Sequence, residues 1–322
     1  MSSALHPTTT PDQATAPGGA PASDASTGAF AWSWGGRPIT VAYDVRGEDR
    51  HGVGTVVLLP AFSTVSTRDE MRPLAECLSP DLRTVTPDWP GFGAGEHPPL
   101  HHGPELHLAF LRAFVERVVA GPAPGRAMVV AAGHAAGYAL ALAQGNPDAW
   151  SRIALIAPTW RGPLPTMMGG YRPLQDRVRA AVRLPGLGHA LYRLNVAKPV
   201  IAAMYREHVY ADRDRVTPAF VAAKAGIARR RGGRFGSAAF VTGALDPVRG
   251  RDAFLRLADP PPAPTLVLYG AGTPPKSLAE IEALARVPGI TARRLGEGAL
   301  GVYEEAPERV AAALRPFLLG EG

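Results

Sequence analysis

Short apolar runs recur along this chain, with helical stretches between them. "TVVLLPAF" is followed by "TRDEMRPLAECLS", "LRTVTPDW" by a Gly/Pro loop and "ELHLAFLRAFVERVVA", and "RAMVVAAG" by "AAGYALALAQ" and then "SRIALIAPTW". Runs this short, bounded by turn residues, read as buried strands, and the stretches between them carry the 3.6-residue period of helices. A strand–helix succession sustained from residue 55 to residue 160 implies a parallel sheet with helices on both faces. Upstream, "AFAWSW" and "PITVAYDV" alternate around Gly35-Gly36 and read as a β-hairpin. From Arg161 to about Phe240 no strong strand is legible, and Pro, Gly, Arg and apolar helical stretches dominate. The sheet resumes at "APTLVLYG", then a helix at "KSLAEIEALARV", a strand at "ITARRL" and a last helix at "PERVAAALRPFLL". The expected architecture is one α/β domain with a doubly wound, mostly parallel sheet. Residues 29–160 and 246–320 form the core, residues 161–245 are a helical insertion, and residues 1–28 are a disordered tail rich in Ala, Thr, Ser, Pro and Gly.

Composition bounds the function classes. Hydrophobic residues are 46% and charged residues 19% of the chain, an ordinary soluble balance. No apolar run reaches the ~18 residues of a membrane span, and residues 1–28 lack the Lys, Arg and apolar core of a secretory signal. The cytoplasm is the expected location. The net charge of +6 comes from arginines spread along the chain, with no recognition module beside them, so no nucleic-acid partner is expected. The single cysteine, Cys77, allows no intrachain disulfide and no Cys-based metal site. Its pattern is that of a small core residue.

The stretch 129–143, "VVAAGHAAGYALALA", is a strand, a Gly-x-x-x-Gly turn and a helix. In enzymes with a nucleophile elbow the centre of such a turn is a serine. Here the centre is Ala135, between His134 and Ala136, with Gly133 and Gly137 outside them.

Four places together resemble the α/β-hydrolase superfamily over roughly residues 28–320. "VVLLPAF" is similar to the strand and loop that supply half of the oxyanion hole. "PDWPGFGAGEHP" is similar to the superfamily's Asp-x-x-Gly-x-Gly loop, "GHAAG" to its elbow, and "EEAPERVAAALRPFL" to the helix after its catalytic-histidine loop. The resemblance implies that residues 161–245 are the cap. It also implies a nucleophile, an acid and a histidine, in that chain order. The nucleophile position is Ala135. The acid position after "TLVLYG" falls at Gly272 in a turn without a carboxylate, and the alternative after "RIALIA" reads Pro158-Thr159-Trp160. Asp246 precedes the "TLVLYG" strand and would need an unusual path. The histidine position falls near Leu300, and no histidine lies beyond His208. No side chain is therefore assigned a catalytic role.

What survives is backbone. The N–H of Ala136, with that of Phe62 or Ser63, would form an oxyanion hole at the start of the helix. The expected ligand pocket comprises Phe62, Ser63, His134, Ala135, Ala136 and Trp160, with Tyr138 as a further aromatic. His134 is the candidate general base, although a histidine there is more often a packing residue. His97, His101, His102 and His107 read as a solvated loop rather than a metal site, because prolines interrupt any common face. Arg229–Arg234 read as a solvated cap edge, with an anionic ligand as the sharper option.

Two functions follow. The first is a non-catalytic, receptor-like protein, a pseudoenzyme binding a small apolar or acyl-like molecule, or a protein partner, through the cap. The second is a decarboxylase-, lyase- or cyclase-type enzyme that needs no covalent nucleophile, with His134, Asp88 or Tyr303 doing proton work. Ordinary esterase or dehalogenase activity ranks third. No cofactor and no metal are expected.

Overall fold

The computed structural model describes residues 25–119 and 127–321. One eight-stranded sheet runs through the molecule: β1 (Ala25–Trp34), β2 (Arg37–Arg46), β3 (Thr55–Leu59), β4 (Arg83–Pro87), β5 (Met128–Ala132), β6 (Arg152–Ile156), β7 (Thr265–Gly270) and β8 (Ile290–Leu295). Their order in space is β1-β2-β4-β3-β5-β6-β7-β8. Only β2 runs against its neighbours; from β4 through β8 every pairing is parallel. The Trp34↔Arg37 register closes the first hairpin on Gly35 and Gly36, both at positive φ, as a two-residue turn of this kind requires. β3 and β5 have no exposed residue, hence their uninterrupted apolar sequences. β8, at the sheet edge, is exposed from Thr291 to Arg294, so "ITARRL" carries charge that a central strand would not.

The helices are α1 (Arg72–Leu78), α2 (Pro104–Phe114), α3 (Ala135–Gly145), α4 (Pro163–Met167), α5 (Pro173–Arg183), α6 (Leu187–Asn195), α7 (Lys198–Met204), α8 (Pro218–Ala228), α9 (Gly233–Val241), α10 (Arg251–Arg256), α11 (Pro275–Ala285), α12 (Val302–Glu305) and α13 (Pro307–Leu319). α3 is apolar all round because it is buried in the main core. α13 starts on a proline in its first turn and stops at Gly320, whose φ of +78° ends the helix in the left-handed conformation. Between β6 and β7 the chain leaves the sheet and forms α4 through α10 with no strand. Part of this excursion has a second apolar cluster, built on Val182, Tyr192, Ile201, Tyr205 and Val221, into which Val65 of the β3–α1 loop inserts. The helical insertion expected over 161–245 corresponds to α4 through α9.

The structure moves one boundary. Residues 25–28, expected in the tail, belong to β1 and pair with residues 43–46 of β2. Gly28 is a glycine because a Cβ there would lie 2.3 Å from the Tyr43 ring. The rest of the expected tail, residues 1–24, lies outside the described residues. No helix among the described residues is long and apolar enough to cross a membrane.

Candidate functional site

The turn after β5 is held by its backbone. Gly133 donates its N–H to Ile156 O at 2.9 Å, and its own carbonyl accepts from Ala136 N at 3.2 Å and Thr159 N at 3.0 Å. The residue that takes the positive φ is Gly133, at +51°. Ala135 opens α3 instead of occupying the strained position. The expected centre of the elbow is thus displaced by two residues, and the residue at the bend has no side chain. The structure also removes the expected oxyanion donor, because the Ala136 N–H is already spent on Gly133. Gly137 serves packing: a Cβ there would lie 2.8 Å from Pro247 Cγ, so the glycine lets the 245–248 segment press onto α3.

The expected pocket is filled. Phe62 is 3% exposed and stacks on Trp89 at 4.5 Å, with Phe92, His107 and Tyr138 around it. Ala135 and Ala136 are fully buried. The Ser63 hydroxyl oxygen accepts from Val65 N at 3.1 Å, a local turn contact. Tyr138 is a core residue whose hydroxyl donates to Leu245 O. Of the six residues expected to line a pocket, Trp160 alone faces the open cleft described below.

His134 and Asp246 do come together, against the expectation that Asp246 lay on the wrong path. The chain leaves β6, runs through α4–α9 and returns over α3, where Tyr138 anchors Leu245. Asp246 then sits with Oδ1 3.0 Å from His134 Nε2, and both side chains are buried. The ring does not aim an N–H along that line, so the contact is one of proximity, and neither Nδ1 nor Nε2 has a hydrogen-bond partner. Phe62 and Phe240 pack edge-on against the imidazole, at 6.0 and 5.6 Å between ring centres. The Asp246 carboxylate also accepts from Gly162 N at 3.0 and 3.1 Å and from the Tyr171 hydroxyl. Burial, reinforced by the Asp246 charge, pushes the Tyr171 phenol up, so it stays a donor.

The remaining expected positions are structural. Gly272 donates its N–H to Gly298 O at 2.9 Å, which ties the loops after β7 and β8 together. Leu300 packs against the main core. Asp88, the acid of "PDWPGFGAG", accepts from Arg68 N (2.7 Å) and Ala94 N (2.8 Å) and pairs with the Arg68 guanidinium at 2.8 Å. Burial raises its pKa against these contacts. Tyr303 is buried, and burial pushes its phenol far up. The histidine-rich loop is not uniformly solvated as expected. His101 is exposed, but His102 and His107 are buried. The His107 ring bridges Gly103 O and Pro90 O, and burial depresses it to about 4. Burial depresses His102 to about 3. Among the described residues no group of three or more His, Cys, Asp or Glu is placed to hold a metal ion. In the "RRRGGR" segment Arg229 and Arg231 are exposed, while Arg230 donates to Gly93 O and ties α8 to the 88–95 loop.

One cluster was not legible at all. Lys224 of α8 lies 2.9 Å from Glu70 and 3.4 Å from Glu304, with all three side chains largely buried. Tyr210 donates to the same Glu304 at 2.9 Å. Burial pulls the lysine down, but the two carboxylates outweigh it and keep the ammonium charged. Nearby, Glu305 accepts from the N–H groups of Ala211, Asp212 and Ala299.

An open cleft of about 630 Å³ lies beside this site, walled by Trp160, Arg161, Tyr171, Arg249, Arg251 and Glu280. Trp160 Nε1 donates to Glu280 at 2.9 Å, and Arg251 forks onto the same carboxylate at 2.7 and 2.8 Å. Burial alone would raise Glu280, but these hydrogen bonds hold it below the usual carboxylate range. Tyr171 forms one wall and also donates to Asp246, so the cleft is one side chain away from the His134–Asp246 pair.

Comparison with solved structures places this arrangement in a known fold. The chain superposes on a thermophilic esterase from Thermogutta terrifontis with a TM-score of 0.69, at 19% identity, over 91% of this chain and 98% of that one. Cfl2 from Burkholderia cenocepacia matches with a TM-score of 0.68 at 20% identity, over 91% and 96%. A loop variant of the haloalkane dehalogenase DbeA from Bradyrhizobium elkanii matches with a TM-score of 0.65 at 17% identity, over 91% and 97%. No protein-family model and no curated protein matches the sequence. The protein has the α/β-hydrolase fold, with the sheet order, crossing helices and long β6–β7 excursion described above.

Proposed function

We propose that this protein binds a small, largely apolar or acyl-like molecule and does not carry out acyl-enzyme hydrolysis. The observation that carries the reading is the bend after β5. It offers the glycine Gly133 and the methyl of Ala135, and its histidine has a side chain 1% exposed, packed against Asp246, Phe62 and Phe240. A nucleophile needs a side-chain heteroatom and an approach for the carbonyl; Gly133 and Ala135 have no heteroatom, and the buried His134 has no approach. The hydrolases among the structural neighbours support the fold, which does not by itself carry their chemistry to this chain. The ligand enters through the Trp160–Tyr171 cleft, whose volume suits a small molecule.

One observation favours a second reading. Asp246 Oδ1 lies 3.0 Å from His134 Nε2, close enough for a small turn of the ring to let the acid orient a base. In a nucleophile-independent enzyme His134 would move a proton once Phe62 or Phe240 gave way.

A thermal-shift screen of the full chain against acyl esters, β-keto acids and lipophilic acids, with mass spectrometry of each stabiliser, separates the two. Stabilisers recovered unchanged support the binding reading. Conversion that is lost in His134→Ala supports the second, and rapid hydrolysis of simple esters contradicts both.

A further inference from the structure

The cleft beside Trp160 has more positive charge than its own residues neutralise. Its one lining carboxylate, Glu280, is fully engaged by Arg251 and Trp160. Arg161 and Arg249 are left. The Arg161 guanidinium lies 5.0 Å from the centre of the Trp160 ring, and that of Arg249 lies 4.5 Å from the centre of the Tyr171 ring. Stacking on an aromatic face fixes a guanidinium plane and leaves its N–H rim free to donate. The floor is open as well. Gly169 and Gly170, at φ of +71° and +156°, meet nothing within 4 Å where a Cβ would stand, and neither does Gly250. Arg161, Arg249 and Arg251 outnumber the two nearby carboxylates, Glu280 on the lining and Asp246 behind Tyr171, and this excess of positive charge draws an anion.

We propose that this cleft is an oxyanion-recognition site. Arg161 and Arg249 grip the carboxylate or phosphate group of a small molecule, and the rest of that molecule lies along Trp160 and the glycine edge. The inference rests on the small-molecule reading above and names the chemical class of the ligand. A planar carboxylate or a tetrahedral phosphate accepts several N–H donors from two guanidiniums, which a neutral ligand cannot do.

The test uses the full chain with inorganic phosphate and with succinate, titrated at an ionic strength held constant with sodium chloride. The melting temperature is expected to rise saturably with at least one of them. A response to phosphate alone assigns a phosphate ligand, and a response to succinate alone a carboxylate. In Arg161→Ala/Arg249→Ala the apparent affinity is expected to fall about tenfold or more, the cost of losing charge-assisted hydrogen bonds. Arg229→Ala/Arg231→Ala removes the same net charge from the exposed edge of the excursion and is expected to leave the response intact. Should the alanine pair lower the melting temperature by itself, Arg161→Lys/Arg249→Lys keeps the charges and loses the fork, and several-fold weaker binding is expected. No saturable response in the wild type, or an unchanged response in both cleft pairs, overturns the inference. If neutral apolar molecules stabilise the protein while both anions fail, the binding reading stands and the oxyanion site falls. Failure of every ligand removes both.

Discussion

Asp246 organises more of the site than any other residue. It receives the Gly162 N–H at the start of the β6–β7 excursion and the Tyr171 hydroxyl at the cleft, and it faces His134 on the bend after β5. A buried carboxylate with these partners cannot be removed cheaply, because each donor is then left in a dry interior. Asp246→Ala is expected to cost about 3 kcal/mol, and Asp246→Asn less, since the amide oxygen still accepts from Gly162. Denaturant midpoints at neutral pH measure both, and a change within error for the alanine variant would mean that the aspartate holds nothing. His134 was legible from the Gly-x-x-x-Gly motif, but the residue that takes the positive φ was not. Gly133 and Gly137 both tolerate a bend, and only the positive φ of Gly133 and the approach of Pro247 to Gly137 show which glycine turns and which packs. Asp246 itself was visible and set aside, because the return of the chain over α3 depends on contacts far apart in sequence, such as Tyr138 to Leu245.

Among the elements, α2 and the loop before it contribute a pH dependence of their own, beside that of the buried Glu70, which burial raises and which acts in the opposite sense. His107 sits on α2 and His102 just before it, both buried and both depressed, to about 4 and about 3. The unfolded chain binds these protons near pH 6.5 and the folded chain does not, so the stability they permit is present above pH 6.5 and is lost as pH falls towards those values. Each histidine contributes a slope of about 1.4 kcal/mol per pH unit in that window. Thermal denaturation of His107→Leu between pH 7 and pH 4 is expected to lose one histidine's share of the slope relative to the wild type. An identical slope would place the titration elsewhere. The sheet strands were legible because an all-buried strand must be continuously apolar, as β3 and β5 are. The histidine loop was misread because its prolines mark an irregular backbone, and irregular backbone is usually wet. Here Pro90 O and Gly103 O instead clamp His107 in the interior.

Across the whole molecule, the β6–β7 excursion is fastened to the sheet domain by polar staples as well as by apolar packing, in which Ala239, Leu245 and Phe254 join the main core and Val65 enters the excursion's own cluster. Lys224 reaches Glu70 and Glu304, Arg230 reaches Gly93, and the Glu304 carboxylate also takes the Tyr210 hydroxyl. Such contacts join residues 154 and 80 positions apart, which no local period encodes. The fold class could be read from strand–helix alternation, and this fastening could not. The same distribution explains the closed elbow: the excursion presses Phe240 and the 245–248 segment onto His134 and α3, and the open cleft lies to one side. The central claim is that a chain with this fold has no nucleophile for an acyl group. The most direct measurement is the intact mass of the purified protein after exposure to a reactive fluorophosphonate, together with the first turnover of p-nitrophenyl acetate. The account predicts an unchanged mass and no stoichiometric burst of nitrophenol. One covalent adduct per chain, mapped to Ser63 or any other hydroxyl and accompanied by a burst, would contradict it.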